Sequence, residues 1–157
     1  EIMITVVIVG ILSAIALPQY FNQVQRTKQN EAAATLAQIQ NTLAAYIDEF
    51  NLMPTGWKDL NDIAAIMTTK GPAILTTFNK IVLPGGNYSV SRTDNGEDRN
   101  YYEFTATPTS KKSDVSKFNV MACIDLENGA SDIKRGVVDS EERIAVSDED
   151  LVCIGNN

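Results

Sequence analysis

Histidine is missing from all 157 residues. Its absence removes the usual general base near neutral pH and the commonest metal ligand, which excludes His-based triads and His-zinc centres. An enzyme is not expected, nor a metal or a cofactor. Basic residues are scarce as well: 13 Lys and Arg stand against 20 Asp and Glu, a net charge of −7. No stretch concentrates cations enough to neutralise a row of phosphates, so nucleic acid is not the expected main partner. Charge of either sign is absent from Ile2 to Gln25, so polarity is arranged lengthwise, an oily end followed by a soluble one. Cysteine is limited to Cys123 and Cys153. An even count beside an export-type N-terminus favours a disulfide and places the soluble part outside the cytoplasm.

What fills the uncharged stretch is a run from Ile2 to Leu17, IMITVVIVGILSAIAL. It is apolar on every helical face, so the helix it forms is expected to be surrounded by apolar material rather than striped. At 1.5 Å per residue these residues span about 24 Å, and Tyr20 and Phe21 extend them toward the roughly 30 Å of a bilayer core. A single membrane span is expected. Glu1 stands at the head of this run, where an uncompensated carboxylate costs up to roughly 2.5–3.5 kcal/mol at mid-membrane. The first cations along the chain, Arg26 and Lys28, are about 37 Å or more away along a helix. The partner of Glu1 is therefore expected from an N-terminus or from another subunit. Gly10 and Pro18 are locally weak helical positions, since glycine costs about 1 kcal/mol relative to alanine and proline removes an amide donor. They mark either a hinge that can melt or a simple bend at Pro18.

The order Glu1, apolar run, Gly10, Pro18-Gln19-Tyr20 closely resembles the N-terminal segment of mature type IV pilins, over about the first 25 residues. The resemblance implies the pilin fold, with a long N-terminal helix on an antiparallel sheet. It also implies a few residues ahead of Glu1, exposed when a prepilin peptidase trims a leader. In that family the acid neutralises the N-terminal amine of a neighbouring subunit as the helices bundle. Glu1, Gly10 and Pro18 are accordingly the expected assembly residues. The implied partners are further copies in a helical filament, the inner membrane before assembly, the pilus assembly machinery and minor pilins. The implied location is an extracellular fibre.

From Gln25 to Phe50 the pattern becomes amphipathic, with Ala32, Leu36, Ile39, Leu43, Tyr46, Ile47 and Phe50 at three- and four-residue steps and Gln29, Gln38, Gln40 and Asp48 expected off that face. No Gly or Pro interrupts Tyr20 to Phe50, so one helix of about 75 Å is expected from Glu1 to Phe50. The membrane or a filament would support its first half and a sheet its second. The Pro and Gly of Asn51 to Gly56 end it, and a short helix around Trp57 to Met67 is expected to follow. Alternation in Tyr88 and Val90, in Tyr102, Phe104 and Ala106, and in Phe118 to Leu126 predicts half-buried antiparallel strands, a meander of three or four. The expected class is α+β. Residues 1–25 form the hydrophobic helix and 26–157 a soluble head, made of an amphipathic helix (26–50), a loop (51–84), and the sheet with its C-terminal loop (85–157).

With Ala122 and Ile124 inward, Cys123 is expected on the opposite sheet face, where Cys153 staples a turn-rich tail. Such a disulfide-bounded C-terminal loop is a common pilin feature. Lesser motifs are the acids of Ser147 to Asp150 and Asp94 to Asp98, whose oxygens suit Ca²⁺ but lack the twelve-residue loop spacing, and a sequon at Asn87-Tyr88-Ser89. Arg92, Arg99, Lys111, Lys112 and Lys117 are candidates for a basic patch toward DNA or a surface, set against a plain solubilising face. The expected function is a structural filament subunit serving motility, adhesion or DNA uptake. The alternatives are a pseudopilin of a secretion or competence system and a membrane-tethered domain that never polymerises.

Overall fold

A computed structural model describes residues 2–94, 96–98, 100–139 and 142–153. Helix α1 runs without a break from Ile2 to Phe50, with Pro18 inside it. It ends at Asn51, whose φ of 52° is left-handed and whose amide donates to the Ile47 carbonyl at 2.8 Å. Asparagine tolerates this conformation as a single residue, so it closes the helix before Pro54 or Gly56 is reached. Helix α2 (Trp57–Leu60) is shorter than the expected Trp57 to Met67 segment.

The main sheet has five strands in sequential antiparallel order, β3 (Ile81–Val82), β4 (Tyr88–Arg92), β5 (Tyr101–Pro108), β6 (Val120–Asp125) and β7 (Ser131–Arg135). Two two-stranded ladders flank it, β1 (Met67–Thr68) with β2 (Gly71–Pro72) and β8 (Val137–Asp139) with β9 (Glu142–Ile144). Helix α3 (Ser113–Ser116) lies between β5 and β6. The meander is thus longer than three or four strands, and both the 51–84 loop and the C-terminal segment hold strands of their own. Phe118 precedes its strand rather than belonging to it.

Helix α1 lies across β5, β6 and β7. Leu36, Ile39 and Leu43 from the helix meet Val90, Tyr102, Phe104, Ala106, Val120, Ala122 and Ile124 from the sheet in one core. Trp57 and Phe78 close its edge, each packing on Phe104 with ring centroids 5.5 and 5.4 Å away. Buried polar tips are served by backbone: the Trp57 indole donates to Asn79 O and the Tyr102 hydroxyl to Pro54 O. Burial pushes the Tyr88 phenol up to about 12, so it stays a donor, here to the Phe118 carbonyl at 2.7 Å.

Gln29 and Gln40 correct the expected helix face. Both are buried, and they lie eleven residues apart, close to three full turns, so they share one side of α1. The Gln29 amide donates to Gly136 O and Asn119 O, and that of Gln40 to Cys123 O and Asp132 O. The helix therefore docks through two amide clamps as well as through its apolar stripe. Gly136 has no room for a side chain, because a Cβ would stand 2.0 Å from the Lys117 carbonyl oxygen. The clamp at Gln29 depends on that close approach.

Candidate membrane and assembly surface

The expected site begins with the first half of α1, whose apolar side chains up to Phe21 stand clear of the head among the described residues. Every large apolar side chain from Ile2 to Phe21 keeps between 51% and 84% of its surface exposed. The helix is long and apolar enough to cross a membrane, and Ile2 to Phe21 covers about 30 Å, matching a bilayer core. Burying an aliphatic or aromatic side chain is worth about 1.5–3 kcal/mol, so these thirteen leave roughly 15 kcal/mol of burial unrealised in water. That rivals the whole stability of a typical domain, about 5–15 kcal/mol. Some other apolar phase must cover this surface.

Gly10 and Pro18 both sit inside this bare stretch. A Cβ added at Gly10 would meet no atom within 4 Å, so nothing among the described residues calls for glycine there. Pro18 leaves the Ala14 carbonyl without its usual helical donor, yet the helix passes through it. In the isolated chain the Gly10 to Pro18 segment is helical. Glu1 lies outside the described residues.

Within the head, Cys123 and Cys153 are joined, with 6.0 Å between their Cα atoms and a sequence separation of 30. Cys123 pairs with Glu103 and Asp132 across the sheet, and alternation from Ala122 and Ile124 turns it away from α1. It is nevertheless fully buried, because the C-terminal segment covers it. Asn119 fastens the same segment, donating to Val146 O at 2.7 Å and accepting from Val146 N at 2.9 Å. The outer face of β6 is thereby closed by a disulfide and a side-chain clamp.

The remaining charged motifs are engaged internally. Arg92 forms a two-pronged pair with Asp94 at 2.6 Å and lies over the Tyr102 ring at 4.3 Å. Burial acts to raise the Asp94 carboxyl, but the bonds from Arg92 and from the Glu103 and Gly96 amides prevail and hold it below its ordinary value. The two acidic motifs come together around an open hollow lined by Asp94, Glu97, Asp98, Asp125, Asp148 and Glu149. Among the described residues, no three such side chains converge closely enough to hold a metal ion. Asp150 instead caps the turn Asp148–Asp150 through the Ser147 amide and hydroxyl. Among the described bases of the candidate patch, Arg92 pairs with Phe104 in mid-β5, whereas Lys111 and Lys112 follow Pro108 at the end of that strand. Lys117 is paired with Glu142, and Arg99 lies outside the described residues. In the sequon, Ser89 is buried within β4.

Gln29, Gln40, Asn119 and Arg143 carry structural roles that the linear pattern does not signal, since each acts on a partner 27 or more residues away. No family model and no solved structure matches the chain.

Proposed function

We propose that this chain is a structural subunit of a type IV pilus, held in a membrane by the first half of α1 and then packed by that same surface into a helical filament. The observation that carries the reading is the bare apolar half-helix standing on a fully formed head. A membrane satisfies it in the monomer, and the equivalent helices of neighbouring copies satisfy it in a fibre. The mechanism is packing rather than bond chemistry. Glu1 pairs with a neighbour's N-terminal amine, which sets axial register. Gly10 and Pro18 let the segment between them bend or melt, because nearby chains shield backbone groups that lipid would leave unsatisfied. The sheet and its disulfide-closed tail face outward and remain folded in both settings.

Electron microscopy of sheared surface fibres, with mass spectrometry of their subunit, tests this directly. Long fibres made chiefly of this chain are expected. Short periplasmic assemblies would select the pseudopilin, and a chain found only as membrane-bound monomer would end the filament reading. In the same assay Glu1→Ala is expected to lower fibre yield sharply, since removing one member of a buried pair costs about 3–5 kcal/mol. Undiminished yield from that variant would remove Glu1 from the assembly role.

A further inference from the structure

Where α1 leaves the bilayer-length stretch and meets the head, the fold gathers arginines from opposite ends of the sequence. Arg26 on the helix and Arg135 on β7 line one cleft of about 410 Å³ with Gln29, Asn30, Phe118 and Gly136. Arg135 donates to Asn30 Oδ1 at 3.1 Å. Arg143 lies over the Phe118 ring, 5.1 Å from its centroid, and donates to Asn22 Oδ1. The three guanidiniums are thus tied to the helix between positions 22 and 30. Ion pairs among the described residues join Arg92 to Asp94, Lys117 to Glu142 and Lys134 to Asp132. Neither Arg26 nor Arg135 has a carboxylate partner among them, although acids outnumber bases in the chain.

The axial position identifies the occupant. If Ile2 to Phe21 fills the hydrocarbon core, Tyr20 and Phe21 lie at the interface where aromatic rings concentrate. Arg26 then stands about 7.5 Å further along the helix. The headgroup layer on each side of a bilayer is about 5–7 Å thick. Arg26 is therefore level with its outer edge, Arg143 is tied to the helix at Asn22 within it, and Arg135 is tied at Asn30, about 13.5 Å past Phe21 and so about 6–8 Å to the water side of it. Planar guanidiniums match phosphate oxygens two at a time.

Resting on the membrane-anchor reading above, we infer that this cleft binds the phosphate of an anionic phospholipid and seats the head on the membrane surface. The site acts before assembly and fixes how far, and at which rotation, the head stands off the bilayer.

The full-length chain in nanodiscs of mixed phosphatidylcholine and phosphatidylglycerol tests it, with the lipids that stay bound after release counted by native mass spectrometry. Wild type is expected to retain phosphatidylglycerol preferentially. Each arginine near an anionic surface contributes about a fivefold preference, so Arg26→Ala should lose about fivefold and Arg26→Ala/Arg135→Ala up to about twenty-fivefold. Arg26→Lys/Arg135→Lys should keep most of it, and removing the exposed pair Lys58 and Lys70 should change nothing. Equal retention of the two lipids by wild type, or unchanged enrichment in the arginine-to-alanine variants, overturns the inference. So does displacement of the lipid by inorganic phosphate at the concentration of the lipid phosphate, which would assign the cleft to free anions. Unchanged lipid retention with lost fibre yield would assign it to an acidic face of a neighbouring copy. Flotation with phosphatidylcholine vesicles separates the two levels: a wild-type chain that does not co-float refutes the anchor itself, whereas one that floats without lipid preference refutes only the cleft.

Discussion

The two halves of α1 obey the same helical geometry in opposite surroundings. From Ile2 to Gln23 every side chain is exposed, and from Gln29 to Leu43 eight are buried against the sheet. The first half is apolar all round and has no preferred face, so any apolar medium can cover it, lipid or a ring of like helices. The second half is apolar on one stripe and carries two amides placed for particular carbonyls, so it has a single docked position. A surface without a face permits exchange between environments. A surface with one secures a domain.

The contrast is open to direct test in full-length protein held in detergent. The largest effect is expected from Leu36→Ala, which empties a site that is 0% exposed and should destabilise the head by about 2–5 kcal/mol. Leu12→Ala, an equal change on the bare half, should leave head unfolding within about 0.5 kcal/mol of wild type. Thermal unfolding followed by near-ultraviolet circular dichroism measures both, and equal losses would mean that the halves are not energetically separate. Reduction of Cys123–Cys153 releases a closed loop of about 30 residues and should cost the head about 3–4 kcal/mol in the chain-entropy model. Membrane flotation of the reduced protein should be unchanged.

Smaller again is the clamp at Gln40. Gln40→Ala leaves a buried amide partner missing beneath β6 and β7 and should cost about 1–3 kcal/mol, whereas Gln38→Ala, on the exposed side with one 3.4 Å contact, should cost less than about 0.5 kcal/mol. Similar values for the two would remove the clamp from the docking account. The smallest effect concerns acid. The Asp94 carboxyl is 3% exposed and its folded pKa lies below the ordinary 3.8. Its contribution is therefore complete above that value and is lost as pH falls through the lower folded value. Asp94→Asn should flatten this acid limb of head stability and leave the inserted half-helix unaffected, as pH titration of the unfolding midpoint would show.

Legibility varied with how local each signal is. The Ala32, Leu36, Ile39 and Leu43 stripe and the alternation of Tyr102, Phe104 and Ala106 are carried by near neighbours in sequence, and both lie in the core. Strand β7 was hidden because Ser131 to Arg135 holds one apolar residue, Ile133, and its pairing with β6 comes from the turn at Gly129, where φ is 75°. Strand β3 has two residues, too few for any period to register. Gln29 and Gln40 passed as solvent-facing because an amide's partner cannot be inferred from the residues beside it. At the membrane and assembly surface, the apolar run is plain from composition. The arginine cleft is not, since Arg26 and Arg135 are more than one hundred residues apart.

Composition and period alone determined the bare apolar length, the uninterrupted helix and the pairing of the only two cysteines, because each depends on residue type and spacing within one segment or on a count. Only the tertiary structure decided which glutamines are buried, which face of β6 the tail closes, and that Arg26 and Arg135 line one cleft beside Phe118. Those outcomes depend on which distant segments cross at one place, and hydrogen bonds and charge acquire their meaning only from what lies opposite them.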